Sequence, residues 1–163
     1  MSSVRRIIFG PNPRRTTVRV LVLAGVSFIT FKWVLIPIRT QGVSMLPTYQ
    51  SDTFNLVNRL SYISGTPKRG DVVAIRLAGP SVVYVKRIVG LPGERVAVVE
   101  GQLQIDGQVL LEPYVRHRRP WDVPEMTLGP DEYFVMGDNR GMSAGDHDFG
   151  RVDTDRILGR VVF

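Results

Sequence analysis

The chain has 163 residues, 44% hydrophobic and 22% charged, room for one domain with a small appended subdomain. It contains no cysteine, which excludes disulfides, a thiolate nucleophile and zinc–thiolate sites, and only two histidines, His117 and His147, which argues against a multi-histidine metal centre. The net charge of +6 sits at one end: Arg5, Arg6, Arg14, Arg15 and Arg19 fall in 19 residues without an acid, and setting those five aside from the 21 basic residues leaves 16 against 15 acidic ones, so no basic face for nucleic acid is expected.

Residues 1–17 read as a basic cytoplasmic tail and 18–38 as a single transmembrane anchor. The stretch "VLVLAGVSFITFKWVLIPI" (20–38) would span about 28 Å as a helix, close to the roughly 30 Å hydrocarbon core. Lys32 lies near its far end, where the ammonium can snorkel outward, and Trp33 suits an interfacial anchor. The arginines ahead of the segment predict a cytoplasmic N-terminus and an extracytoplasmic remainder, in a single-pass protein of the cell membrane. "PIRTQGVSM" offers no small-residue cleavage site, which argues against a cleaved signal peptide. A buried core helix is the other reading, because the uninterrupted apolar run, 20–31, has only 12 residues.

Residues 39–163 read as strands. "TFNLVNRL" (53–60), "DVVAIRL" (71–77), "SVVYVKRIV" (81–89), "RVAVVEG" (95–101), "QLQIDGQVL" (102–110), "EYFVMG" (132–137) and "RILGRVVF" (156–163) are short, β-branched and mostly bounded by Gly, Pro, Asp or Asn. The pattern predicts an all-β body of short strands. Glu100-Gly101 and Asp106-Gly107 are turn signals, the second the stronger hairpin cue. Residues 94–134 read as a small inserted β-ribbon whose looped end carries "RHRRPWDVPE", either a solvated charge run or a contact for anionic lipid headgroups.

Ser44, in "QGVSMLPTY" (41–49), is a candidate nucleophile only if a base takes its proton. His117 lies within the arginine cluster 116–119, His147 lies among carboxylates in "SAGDHDFG", and no G-x-S-x-G elbow is present. Of three lysines, Lys32 belongs to the anchor and Lys68 opens the turn "KRGD". Lys86 differs. In an extended "VVYVKRIVG", Val82, Tyr84, Lys86 and Ile88 share one face and Val83, Val85, Arg87 and Val89 the other. Burial there would penalise the ammonium and favour a neutral amine able to act as general base. A lysine snorkelling from a strand edge is the alternative. In "VMGDNRGMSAGDHDFGRV" (135–152), Asp138, Asn139 and Arg140 could brace a loop, or form an Asx turn with a surface ion pair. Ser143 could orient a neutral lysine.

Together these pieces resemble the type I signal peptidases, membrane-bound Ser/Lys endopeptidases. "GVSMLPT" (42–48) looks like the family's nucleophile box, "RGDVV" (69–73) its Gly-Asp strand box, "YVKRIVGLPG" (84–93) its base-bearing box and "GDNRGMS" (137–143) its terminal box. The resemblance implies Ser44 as nucleophile, Lys86 as general base, Ser143 as orienter of the amine, and Asp138 and Arg140 as bracing residues. It implies a substrate and oxyanion region at Gly42, Val43, Met45, Tyr84 and Val85, with the Ser44 N–H as oxyanion donor. Gly42 stands where some members carry a hydroxyl. Implied partners are the lipid bilayer and precursor proteins with small side chains one and three residues before the cleaved bond. No metal, cofactor or nucleic acid is implied. The family commonly continues S-x-D-S-R-x-F-G, but here Gly145 and His147 replace the Asp and Arg. That ion pair is lost, or rebuilt by Asp146 or Asp148 with Arg140, and His147 offers a pH-sensitive contact. Rival readings are a specialised processing peptidase of the mitochondrial inner-membrane or conjugation type, and an inactive anchored binding module. A self-cleaving repressor-type domain is a third, but its Ala24-Gly25 bond would lie inside the apolar segment.

Overall fold

The computed structural model describes residues 12–78, 82–146 and 149–162; the basic tail up to residue 11, with Arg5 and Arg6, lies outside them. Helix α1 (Pro13–Ile29) has a proline in its first turn, where the missing N–H costs nothing. It runs into one π-helical turn, Thr30–Val34. The 21 residues Arg14–Val34 are long and apolar enough to cross a membrane, and none is buried against the rest of the protein. Val18, Leu21, Val22, Phe28 and Ile29 are all more than half exposed. The buried-core-helix reading therefore fails.

Helical structure stops at Val34, not at Ile38 as expected. Pro37 explains the difference: its ring would clash with the preceding helical turn, and it pushes Ile36 out of the helical region. Leu35–Arg39 instead forms β1, paired antiparallel with β2 (Phe54–Asn58). Pro37 is tolerated there because β1 is an edge strand. The Arg59 N–H donates to the Val34 carbonyl (2.9 Å), so the first hairpin begins where the helix ends.

The remaining strands are β3 (Val72–Ala78), β4 (Val82–Gly90), β5 (Arg95–Val99), β6 (Gln102–Ile105), β7 (Gln108–Val109), β8 (Val123–Thr127), β9 (Glu132–Met136), β10 (Gly150–Asp153) and β11 (Ile157–Val162). They form a seven-stranded sheet in the order β1-β2-β11-β3-β4-β9-β10 and a four-stranded sheet in the order β7-β6-β5-β8. Every pairing is antiparallel. The all-β expectation holds. Three strands were not anticipated, β1, β8 and β10, and all are edges. β1 and β8 carry Pro37 and Pro124, which argue against a central strand but not an edge one.

The inserted ribbon is a true small sheet covering 95–127, while β9 belongs to the large sheet. Its neck is closed by Gly93 N–H to Leu128 O (3.1 Å) and Leu128 N–H to Glu94 O (2.9 Å). Both anticipated turns are two-residue hairpin turns with positive φ at each central residue: Glu100 47° and Gly101 76°, Asp106 51° and Gly107 80°, the combination that matches strand twist.

β4 is the pivot of the packing. Its Ile88 joins a cluster with Val73, Ile75, Tyr133, Val135 and Val152. Val89 joins Val96, Val98, Leu103 and Phe134, which ties the small sheet to the large one. Val83 and Val85 pack on Met45, Val57, Val72, Ala74 and Val161. The period-two alternation read from the sequence is thus realised, with both faces of β4 covered.

Candidate active site

The loop between β1 and β2 carries Ser44. Its ends are tied by Thr40 N–H to Thr53 O (2.9 Å) and Asp52 N–H to Thr40 O (2.7 Å), and buried Asn55 donates to the Thr40 and Thr53 hydroxyls (3.2 Å each). The loop is plugged into the core by Met45, 5% exposed. Its Gly42 has φ +96°, a conformation that disfavours a side chain. The Gly42 N–H donates to Ser51 Oγ (3.2 Å).

Ser44 is half-buried and lines an open groove of about 680 Å³ together with Gly42, Val43, Tyr84, Val85 and Met142. The groove wall on β4 is formed by residues 83–85, directly before Lys86. Lys86 itself is 1% exposed and stands opposite Val73 on β3, so it does not snorkel from an edge. Met45, Tyr84 and Val85, expected in the substrate region, are likewise at the groove.

The 137–140 turn holds this loop from behind. Asn139 N–H donates to Ser44 O (3.0 Å), and Asn139 Nδ2 donates to Val43 O (3.0 Å). Asp138 receives Arg87 Nε and Nη2 (2.8 and 2.6 Å) and the Thr48 hydroxyl (2.5 Å). Burial lowers the proton affinity of the Arg87 guanidinium, but its hydrogen bonds and attraction to Asp138 outweigh that and leave its pKa above the ordinary value. Asp138 and Arg140 are each 1% exposed, which rules out a surface ion pair.

Among the described residues, the partner of Arg140 is Glu112 rather than Asp146. The Arg140 guanidinium engages Glu112 through two nitrogens, Nη1 at 3.0 Å and Nη2 closer, and its Nε donates to Gly137 O (2.8 Å). Asp146 instead accepts the Ser143 hydroxyl (2.5 Å). With its proton so committed, Ser143 could orient the Lys86 amine only by accepting from it. Asp148 and His147, and with them the pH-sensitive contact, lie outside the described residues. His117 is exposed, its Cβ near Gly141. Among the described residues, no group of three or more His, Asp or Glu side chains is placed to hold a metal ion.

Sequence reasoning passed over Arg87, Thr48, Glu112 and Tyr114. Arg87 had a usable signal. It lies among Val83, Val85 and Val89 on one strand face, and a buried guanidinium needs a carboxylate. Glu112 and Tyr114 lie in an irregular stretch with no periodicity to read.

A family model described as "Signal peptidase, peptidase S26" matches residues 14–163. The chain is 35% identical to a signal peptidase I from Leptolyngbya laminosa over 127 residues, 73% of this chain and 63% of that protein's length. It is 30% identical to signal peptidase IB from Staphylococcus aureus over 164 aligned positions, covering 90% of this chain and 85% of the relative. Among solved structures, a signal peptidase I from Enterococcus faecalis aligns at TM-score 0.48 and 28% identity, covering 60% of this chain and 97% of that one.

Proposed function

The chain belongs to the signal peptidase family, peptidase S26, and from that premise we propose that it is a membrane-anchored serine endopeptidase that removes N-terminal signal peptides from translocated precursors. α1 is the anchor. Arg14, Arg15 and Arg19 in its N-terminal half support a cytoplasmic N-terminus by the positive-inside rule, with the β body on the other side. A precursor held in the same bilayer meets Ser44 at raised effective concentration.

The substrate lies extended along the groove, beside β4 residues 83–85, with main-chain contacts fixing its register and small side chains before the cleaved bond. Lys86 takes the proton of Ser44 Oγ. The oxygen attacks the scissile carbonyl, the Ser44 N–H supports the oxyanion, and the C–N bond breaks as Lys86 returns the proton to the leaving amine. Water then loses a proton to Lys86 and attacks the ester carbonyl, the C–O bond to Ser44 breaks, and Lys86 returns the proton to Ser44 Oγ, restoring both groups. The observation that carries this reading is Ser44 on a groove whose β4 wall runs straight into buried Lys86.

The test is cleavage of a precursor bearing an Ala-x-Ala site by the full chain in detergent. Ser44→Ala and Lys86→Met are each expected to lower kcat/KM by at least about 10³-fold, with circular dichroism spectra unchanged. Wild-type activity in either variant sinks the mechanism.

A further inference from the structure

Glu112 is 2% exposed and is held by groups from several parts of the chain. It lies in the stretch between β7 and β8, far in sequence from the groove. Besides Arg140, it accepts the Tyr114 hydroxyl (2.8 Å) and, at longer range, Arg118 Nη2 (3.5 Å). The Tyr114 ring packs against the Arg87 guanidinium, whose Cζ is 4.1 Å from the ring centroid, a cation–π contact. Burial first, then the charge of Glu112 and their hydrogen bond, push the Tyr114 hydroxyl above its ordinary pKa, so it remains a donor to Glu112 at any working pH. The same stretch is also tied down by its backbone, since Arg119 N–H donates to Arg140 O (3.0 Å).

These contacts close a circuit. Tyr114 meets Arg87, Arg87 grips Asp138, and Asp138 holds Thr48 in the nucleophile loop. Glu112 grips Arg140, Arg140 holds Gly137 O, and Asn139, inside the same turn, holds the carbonyls of Val43 and Ser44. Glu112 and Tyr114 are thus the side chains through which the inserted small-sheet unit reaches both arms of the support behind Ser44. We infer that Glu112 and Tyr114 are positioning residues for the reaction. They fix the 137–140 turn, and through it the main chain at Val43 and Ser44, in the geometry that the attack requires. A plain core ion pair could be replaced by apolar side chains at little cost to stability. A positioning pair could not be replaced without cost to the chemistry, because a displacement of about 1 Å at a reacting atom can lower a rate about 10²-fold.

The inference rests on Ser44 as nucleophile, so the experiment separates the two. Wild type, Ser44→Ala, Glu112→Gln, Tyr114→Phe and the double variant Glu112→Met/Arg140→Met are compared in detergent. The readouts are kcat and KM on the Ala-x-Ala precursor, the rate of Ser44 labelling by a serine-directed fluorophosphonate, and thermal stability. Glu112→Gln is expected to lose kcat about ten- to a hundredfold, with KM within about threefold. Tyr114→Phe keeps the ring and loses only the hydroxyl, so its kcat is expected to fall about three- to tenfold. The double variant is expected to melt close to wild type while its kcat and labelling rate stay low. A double variant with kcat and labelling rate within about twofold of wild type overturns the inference, as does a rise in KM at unchanged kcat in Glu112→Gln. Activity retained in Ser44→Ala would instead overturn the reading of the nucleophile.

Discussion

In α1, Leu21, Leu23 and Phe28 are about two-thirds exposed, at 66%, 66% and 65%; in the β body, Glu112, Asp138 and Arg140 are 1–2% exposed. The two regions thus reverse the usual placement of apolar and charged groups, for different physical reasons. A helix satisfies its own backbone hydrogen bonds, so it can stand alone in an apolar solvent with its apolar side chains outward. A buried ion has no such freedom, and each must meet a fixed partner of opposite charge or a set of dipoles. The helix therefore depends on its surroundings and scarcely on the body. The site depends on contacts between residues up to 96 positions apart, as between Val43 and Asn139.

Substitutions on either side of this contrast can break it or sharpen it. The largest effect on stability is expected in the body. Arg87→Met leaves the Asp138 carboxylate buried without its guanidinium and should cost about 3–5 kcal/mol in denaturant unfolding. A loss below about 1 kcal/mol would mean that the pair behaves as a solvated one, and the contrast would fail. Leu23→Asp places a charge near the middle of the helix and should cost about 2.5–3.5 kcal/mol of insertion. It should be read as a smaller membrane-retained fraction after carbonate washing, with the denaturant midpoint of the solubilised body unchanged. A shifted midpoint would show that the helix packs on the body. The smallest pair compares two hairpin turns. Gly101→Ala must accept a positive φ and a Cβ placed 2.2 Å from the Arg119 carbonyl oxygen, whereas Gly107→Ala meets only the positive φ, with nothing within 4 Å. The first should cost about 2–3 kcal/mol and the second about 1 kcal/mol by thermal melting. Equal costs would mean that the 116–119 stretch yields freely, which would also weaken the link from the inserted unit to the 137–140 turn.

Much of this arrangement was legible in the residues. The apolar run before Pro37, the β-branched segments, the two hairpin turns and the alternation around Lys86 are local patterns with fixed periods, and the structure follows them. The edge strands β1, β8 and β10 were not legible, because prolines or short length mask them and only pairing with a neighbour defines them. The partners of the bracing residues were not legible for a related reason. The carboxylates near Arg140 in sequence include Asp146, yet Arg140 pairs with Glu112, 28 positions earlier, and Asp138 takes Arg87 from 51 positions away.

The sequence by itself determined the exposed apolar helix, the all-β body, and the placement of Ser44 and Lys86 on a loop and a covered strand face, because periodicity and turn chemistry act over a few residues. The tertiary structure alone decided which polar groups meet: Arg87 with Asp138, Arg140 with Glu112, and Asn139 with the carbonyls of Val43 and Ser44. Electrostatic satisfaction inside a folded body depends on distance in space, which chain order does not encode.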